Sequence, residues 1–135
     1  MLLAVDIGNT NINAGVFKDN KLIRRFCLTT KAYRIDKIKR PLSRVNIDVA
    51  VICSVVPDKT KVMRKDLKRL LGFLPYIIGS DMAVPVKNLY RNPKQVGPDR
   101  LVNAYAGIRL YGAPLIVIDF GTAVTFDVVS GNKEY

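Results

Sequence analysis

The sequence predicts an α/β domain with a mixed sheet, in the order β-β-β-α-β-α-β-α plus one further hairpin, and three observations carry that expectation. Residues 2 to 28 alternate apolar and polar positions around two turn-forming stretches, Gly8-Asn9-Thr10 and Lys18-Asp19-Asn20-Lys21, as a three-stranded meander does. Asp48 to Val56 is an unbroken, largely β-branched run, the pattern of a central strand covered on both faces. Two helical stripes follow, one through Val62, Met63, Leu67, Leu70 and Leu71, the other through Leu101, Val102, Tyr105, Ile108 and Leu110.

Taken in chain order, Leu2 to Ile7 is the first strand, and Asn11 to Phe17 the second, with Ile12, Ala14 and Val16 on one face. Leu22 to Leu28 completes the meander. Residues 31 to 46 hold a short helix that Pro41 interrupts. Pro57 and Asp58 suit the first turn of a helix that Gly72 closes. Tyr76 to Ile78 is a short strand, and 80 to 96 is a loop broken by Pro85, Asn92 and Pro93. Gly97-Pro98 opens the last helix, which stops at Gly112. Leu115 to Asp119 is a strand that turns at Gly121 and returns as Val124 to Val129. The order of strands within the sheet is not readable from the sequence.

With 135 residues, 49% of them hydrophobic and 24% charged, the chain suffices for one core and is not of disordered composition. The apolar start Met1-Leu2-Leu3-Ala4-Val5 meets Asp6 at once, too short for a signal-peptide core or a bilayer span, so a cytoplasmic location and no membrane partner are expected. There is no histidine, and Cys27 and Cys53 stand alone, which argues against a zinc site or a histidine-based triad. Both cysteines read as small buried apolar residues. A formal charge of +11 and a pI near 9.9 suit a nucleic-acid binder. However, the basic run Lys59, Lys61, Arg64, Lys65, Lys68 and Arg69 has no interleaved aromatic residue, which is the pattern of a solvated helix face. Nucleic acid is therefore disfavoured as a partner, and attraction of anionic nucleotides is a second use for the charge.

Two segments share one plan. Ala4-Val5-Asp6-Ile7-Gly8-Asn9-Thr10 and Val117-Ile118-Asp119-Phe120-Gly121-Thr122-Ala123 each read as a buried strand ending in Asp, then an apolar residue, Gly and a small polar residue. Each leads into a second apolar strand and a turn with Asn-Lys, at Asn20-Lys21 and Asn132-Lys133. So long a separation suits two duplicated halves facing each other rather than a solenoid. The expected division is 1–113 for the first domain and 114–135 for the first hairpin of a second, incomplete copy.

A carboxylate at a strand end beside a glycine turn suits phosphate and metal chemistry. Glycine lets backbone N–H groups approach an anion, Asn9 and Thr10 add donors, and Asp6 would hold Mg²⁺ through water. The alternative is an ordinary hairpin in which Gly-Asn supplies positive φ. Two copies in duplicated contexts favour the phosphate reading.

The pair Asp6-Ile7-Gly8-Asn9-Thr10-Asn11 and Asp119-Phe120-Gly121-Thr122-Ala123-Val124-Thr125 resembles the phosphate motifs of the actin-like ATPase superfamily, whose domains are ribonuclease H-like. Between them Gly97-Pro98-Asp99-Arg100 resembles the Gly-x-Asp-Arg signature of type III pantothenate kinases, and the similarity runs from Met1 to Tyr135. The resemblance implies ATP-dependent phosphorylation of pantothenate, the first step of coenzyme A biosynthesis. It makes residues 6 to 13 (Asp6, Ile7, Gly8, Asn9, Thr10, Asn11, Ile12 and Asn13) the first ATP-phosphate loop and Thr122 a second phosphate contact. Asp99 becomes the general base, Gly97, Pro98 and Arg100 hold pantothenate, and Tyr90 falls where the family has a substrate-contacting tyrosine. Asp119 matches a monovalent-cation ligand, which implies K⁺ or NH₄⁺ beside ATP and Mg²⁺, and family members are homodimers.

Each match has a plainer counterpart. An acid in a helix first turn after Pro at N1 is ordinary capping chemistry, and Arg100 taken alone is a surface ion-pair residue. The family's second half supplies an adenosine pocket and a further substrate contact that this chain does not contain, so the chain alone is expected to have little or no kinase activity. The alternatives are a non-catalytic regulator resembling the Bvg accessory factor proteins, or another actin-like small-molecule kinase.

Overall fold

Alternating side chains at Leu3, Val5 and Ile7 turn inward from strand β1 (Leu2–Ile7), and Ile12, Ala14 and Val16 do the same from β2 (Asn11–Lys18). These strands pair antiparallel, and β2 pairs antiparallel with β3 (Lys21–Thr29). The turn between β2 and β3 holds Asp19 and Asn20 at φ of 49° and 63°, the left-handed pair of a tight hairpin. Strand β4 (Val49–Ser54) runs parallel to β1, and β5 (Tyr76–Ile77) parallel to β4. The five-stranded order is β3-β2-β1-β4-β5, with β2 alone running against the rest, which is the ribonuclease H-like arrangement. The expected central strand β4 is interior, but β1 takes the middle place.

This computed structural model describes residues 1–135, which divide into two compact units, Met1–Met82 and Ala83–Tyr135. In the first, helices α1 (Ile35–Leu42) and α2 (Pro57–Leu71) add Ile38, Leu42, Met63 and Leu67 to the core under the sheet. Pro41 sits in the last turn of α1, where a missing N–H costs least of the helix ladder. The start of α2 has Pro57 at its first position and no cap from Val56 itself. Ser54 substitutes: its Oγ accepts the Val56 N–H at 3.0 Å and the Thr60 hydroxyl at 2.6 Å. Gly72, at φ 86°, ends the helix as expected.

Two readings of the first unit are corrected. Val62 is exposed, because the buried face of α2 runs through Thr60, Met63 and Leu67, and a position one residue before Met63 points about 100° away from it. Cys27 is exposed too, while Cys53 is buried. Cys27 lies on edge strand β3, where most outward positions lack a covering layer.

The second unit comprises helix α3 (Pro98–Tyr111) and the antiparallel pair β6 (Leu115–Phe120) and β7 (Val124–Val129). Ala104 is buried on α3, and Gly107 touches the hairpin so closely that a Cβ there would lie 3.1 Å from a Leu115 methyl and 3.5 Å from one of Val117. Leu110, expected on the inward stripe, is 72% exposed, since it lies off the face that Ala104 and Gly107 share. The backbone of Lys87 and Leu89 bonds to Tyr135, closing the chain end onto the preceding loop.

Strand β6 is not the buried strand read from the sequence. A two-stranded sheet has two faces, and α3 covers one. Ile116, Ile118 and Phe120 project from the other, opposite Val128, Phe126 and Val124, and all six are exposed.

Candidate functional site

The first glycine loop is fixed by its own strand and by the far end of β3. Gly8 N–H donates to the Asn11 carbonyl at 2.9 Å, closing the turn between β1 and β2. Thr30, which is buried, donates its hydroxyl to the Gly8 carbonyl at 2.7 Å and its N–H to the Thr10 carbonyl at 2.8 Å. In a trans peptide the N–H points opposite the carbonyl, so tying the Gly8 carbonyl to Thr30 turns the Asn9 N–H away from it. Gly8 and Asn9 do not have positive φ. The glycine eases a close approach instead: a Cβ would lie 3.2 Å from the Asn11 carbonyl oxygen, which would have to give slightly. Asp6 lies one residue before the end of β1 on the exposed face, level with Asn13 on β2 and Cys53 on β4. Ile7 and Ile12 are fully buried, so within residues 6 to 13 their side chains anchor the loop in the core.

In the second unit, Asp119 is exposed one residue before the end of β6, opposite Thr125, and Thr122 stands exposed at the turn. Gly121 N–H donates to the Ala123 carbonyl at 3.2 Å. A Cβ on Gly121 would make only ordinary contacts, 3.7 Å or more.

The first turn of α3 is the most organised part of this unit. Gly97 is the extended residue before the helix, and Pro98 its first position. Asp99 is partly buried, and its Oδ1 accepts the Arg100 N–H at 2.9 Å. The Arg100 guanidinium crosses to β7, where Nε and Nη2 meet Asp127 Oδ1 at 2.6 and 2.5 Å and Nη2 also reaches the Phe126 carbonyl at 3.3 Å. The Tyr135 hydroxyl donates to the same Asp127 oxygen at 2.7 Å, and Arg100 lies 5.9 Å above the Tyr135 ring. The hydrogen bond to Asp127 raises the pKa of Arg100 further. Burial, then the bond to Asp127, pushes the Tyr135 phenol up to about 12. Tyr90 is half exposed, takes the Asn88 side-chain oxygen on its backbone N–H at 2.9 Å, and adds to both shifts, so it lies within electrostatic reach of this cluster.

A surface concavity of about 460 Å³ is lined by Met1, Leu2, Phe17, Lys18, Asn46 and Asp48 among others, at the end of β1 opposite Asp6. It is remote from the glycine loop. No group of three or more Cys, Asp or Glu is placed to form a metal cage. Single exposed carboxylates such as Asp6 and Asp119 do suit Mg²⁺ and monovalent ions, which take few protein ligands and keep water or substrate oxygens. No helix is long and apolar enough to cross a membrane.

The strand order defines a ribonuclease H-like α/β protein in which an aspartate-glycine hairpin occurs twice. More narrowly, the chain belongs to the type III pantothenate kinase family, whose sequence model matches residues 2–135. It is 43% identical over 150 residues to a type III pantothenate kinase of Sulfurihydrogenibium sp. (strain YO3AOP1), covering all of this chain and 58% of that protein. Type III pantothenate kinases of Finegoldia magna and Persephonella marina are each 39% identical over 145 residues, again across the whole chain and over 55% and 57% of their lengths. The chain thus spans a little over half the length of these relatives. Among solved structures, the Aquifex aeolicus member of the Ppx/GppA family covers 98% of this chain and 48% of its own at a TM-score of 0.49 and 15% identity, too low to support an argument.

Three residues at these sites escaped the sequence reading. Thr30 gives no local signal, since its role follows from where β3 ends. Asp127 sits in phase with Thr125 and Val129 on the covered face of β7, so an acid at an inward position of an apolar strand was the available sign. Tyr135 follows from the turn that returns the chain to Lys87.

Proposed function

We propose that this chain is the N-terminal part of an enzyme that transfers the γ-phosphoryl group of ATP to the hydroxyl of pantothenate, giving 4'-phosphopantothenate. The observation that carries the reading is the opening of α3, where Gly97-Pro98-Asp99-Arg100 leaves one carboxylate at a helix first turn beside an immobilised guanidinium. Membership of the family supports it.

In this reading Asp99 accepts the proton of the attacking pantothenate hydroxyl, and Arg100, Gly97, Pro98 and Tyr90 hold that substrate. The loop of residues 6 to 13 receives ATP phosphate oxygens, with the Asn9 N–H among its donors, and Thr122 contributes a further phosphate contact. Asp6 would hold Mg²⁺ through water and Asp119 a monovalent cation, K⁺ or NH₄⁺; such cations neutralise charge on the transferring phosphoryl group. Most of the +11 formal charge falls in residues 1–82, which favours approach of a polyphosphate. The division at 113/114 into two duplicated domains, a homodimer and a cytoplasmic location complete the proposal.

The test is ATP-dependent phosphorylation of pantothenate by residues 1–135 extended to family length with the remainder of the Sulfurihydrogenibium relative, since the chain alone is expected to turn over little or not at all. Asp99→Asn should lower kcat about 10²- to 10⁴-fold, the usual worth of a general base. Unchanged turnover would remove Asp99 from the mechanism.

A further inference from the structure

Arg100 is held by one edge only. Its Nε and Nη2 are engaged by Asp127 and the Phe126 carbonyl, whereas Nη1 makes no hydrogen bond to the protein and the side chain is 30% exposed. Asp127 is the opposite case: its side chain is wholly buried, Oδ1 accepts from both Arg100 and Tyr135, and Oδ2 is buried with no partner.

A fully buried carboxylate with an unpartnered oxygen is a poor choice for stability, because an apolar residue of similar size would fill the same place without the desolvation cost. It is a good choice for orientation. A guanidinium is a rigid plane, so fixing its Nε–Nη2 edge also fixes the direction of its remaining N–H groups. The nearest other carboxylate along the chain is that of Asp99. An Arg100 released from β7 would be free to pair with it and neutralise it.

We infer that Asp127 is a positioning residue that grips the inner edge of Arg100 so that Nη1 is presented to an oxygen of the acceptor substrate and kept from the Asp99 carboxylate. The substrate's identity rests on the function proposed above. The grip itself does not, and the two are tested separately.

The first measurement is the side-chain ¹⁵N–¹H spectrum of the arginines in the 135-residue chain. Wild type should show a slowly exchanging Nε–H signal that disappears in Arg100→Lys, distinct from any signal of the buried Arg64 Nε, which that substitution leaves in place. The Arg100 signal should persist with faster exchange in Asp127→Asn and merge with the exposed arginines in Asp127→Leu. The second is calorimetric titration of pantothenate into the chain extended to family length, as above. Asp127→Asn should weaken binding about tenfold, as expected for a weakened charged hydrogen-bond partner, and should have no further effect once Arg100→Gln is present. A purely structural Asp127 would lower Tm and weaken binding equally in both backgrounds, and that result overturns the inference. So does a wild-type Arg100 Nε–H that exchanges as fast as the others. A protected Nε–H together with no affinity for pantothenate in the chain extended to family length supports the grip and defeats the substrate reading instead.

Discussion

The hairpins β1–β2 and β6–β7 start from nearly the same residues, Asp-Ile-Gly-Asn-Thr and Asp-Phe-Gly-Thr-Ala, and end in different company. The first lies inside a five-stranded sheet, with β4 on one side, β3 on the other and helices over its apolar face. The second is a sheet of two strands with a helix on one face and six apolar side chains open on the other. Their turns differ as well. Asp6 opposes Asn13, seven residues on, while Asp119 opposes Thr125, six residues on, so the same motif closes with a register one residue shorter. The first turn is braced by Thr30 through two hydrogen bonds from outside the hairpin. A motif of this kind therefore specifies a bend; its rigidity is contributed by the neighbours.

The largest expected effect breaks the comparison at its root. Ile7→Ala, at a fully buried position of β1, should cost about 2–5 kcal/mol in chemical denaturation, whereas Ile118→Ala on the open face of β6 should stay within about 0.5 kcal/mol. Equal losses would mean that the face of β6 is covered after all. Next comes the brace. Thr30→Val removes a hydroxyl bonded to the Gly8 carbonyl and should cost about 1 kcal/mol, with faster amide exchange at residues 9 to 11 as the local reporter. The glycines give a finer contrast: Gly8→Ala meets a backbone oxygen at 3.2 Å and should destabilise measurably, while Gly121→Ala has room and should be close to neutral.

The smallest effect is electrostatic and separates the units by their tyrosines. Tyr135 titrates near 12, above the ordinary phenol value of 10.0, so its share of stability is complete below pH 10 and is lost as pH rises towards 12. Tyr33 is raised still further, by burial and by donating to Asp66 at 3.0 Å. Ultraviolet titration of wild type against Tyr135→Phe should remove one late-ionising phenol and leave a second that ionises later still. A Tyr135 that ionised with the exposed tyrosines would show that its bond to Asp127 does not persist in solution.

Much of the fold was legible in the sequence because it is written in local patterns. Period-two alternation gave β1 and β2, proline and glycine marked both ends of α2 and α3, and Asn20 marked the tight turn. What local pattern does not encode is the identity of the neighbour. Strand order, the exposure of Cys27 at an edge, the outward turn of Val62 and the open face of β6 all depend on what packs beside each element. The site divides in the same way. Asp99 and Arg100 lie in one short motif and were readable, whereas Asp127 enters through a contact spanning 27 residues and Thr30 through one spanning 22.

Gly107 and Arg100 lie two turns apart on one side of α3, and both bear on the same hairpin, through Leu115 and Val117 on β6 and through Asp127, opposite Val117, on β7. The missing methyl group at Gly107 thus acts as a spacer gauge for a charge contact some 10 Å up the helix, at about 1.5 Å of rise per residue. An alanine there would press on the Leu115 methyls at 3.1 and 3.3 Å, and whether that leucine yields by a few tenths of an ångström decides whether the guanidinium's seat is disturbed at all.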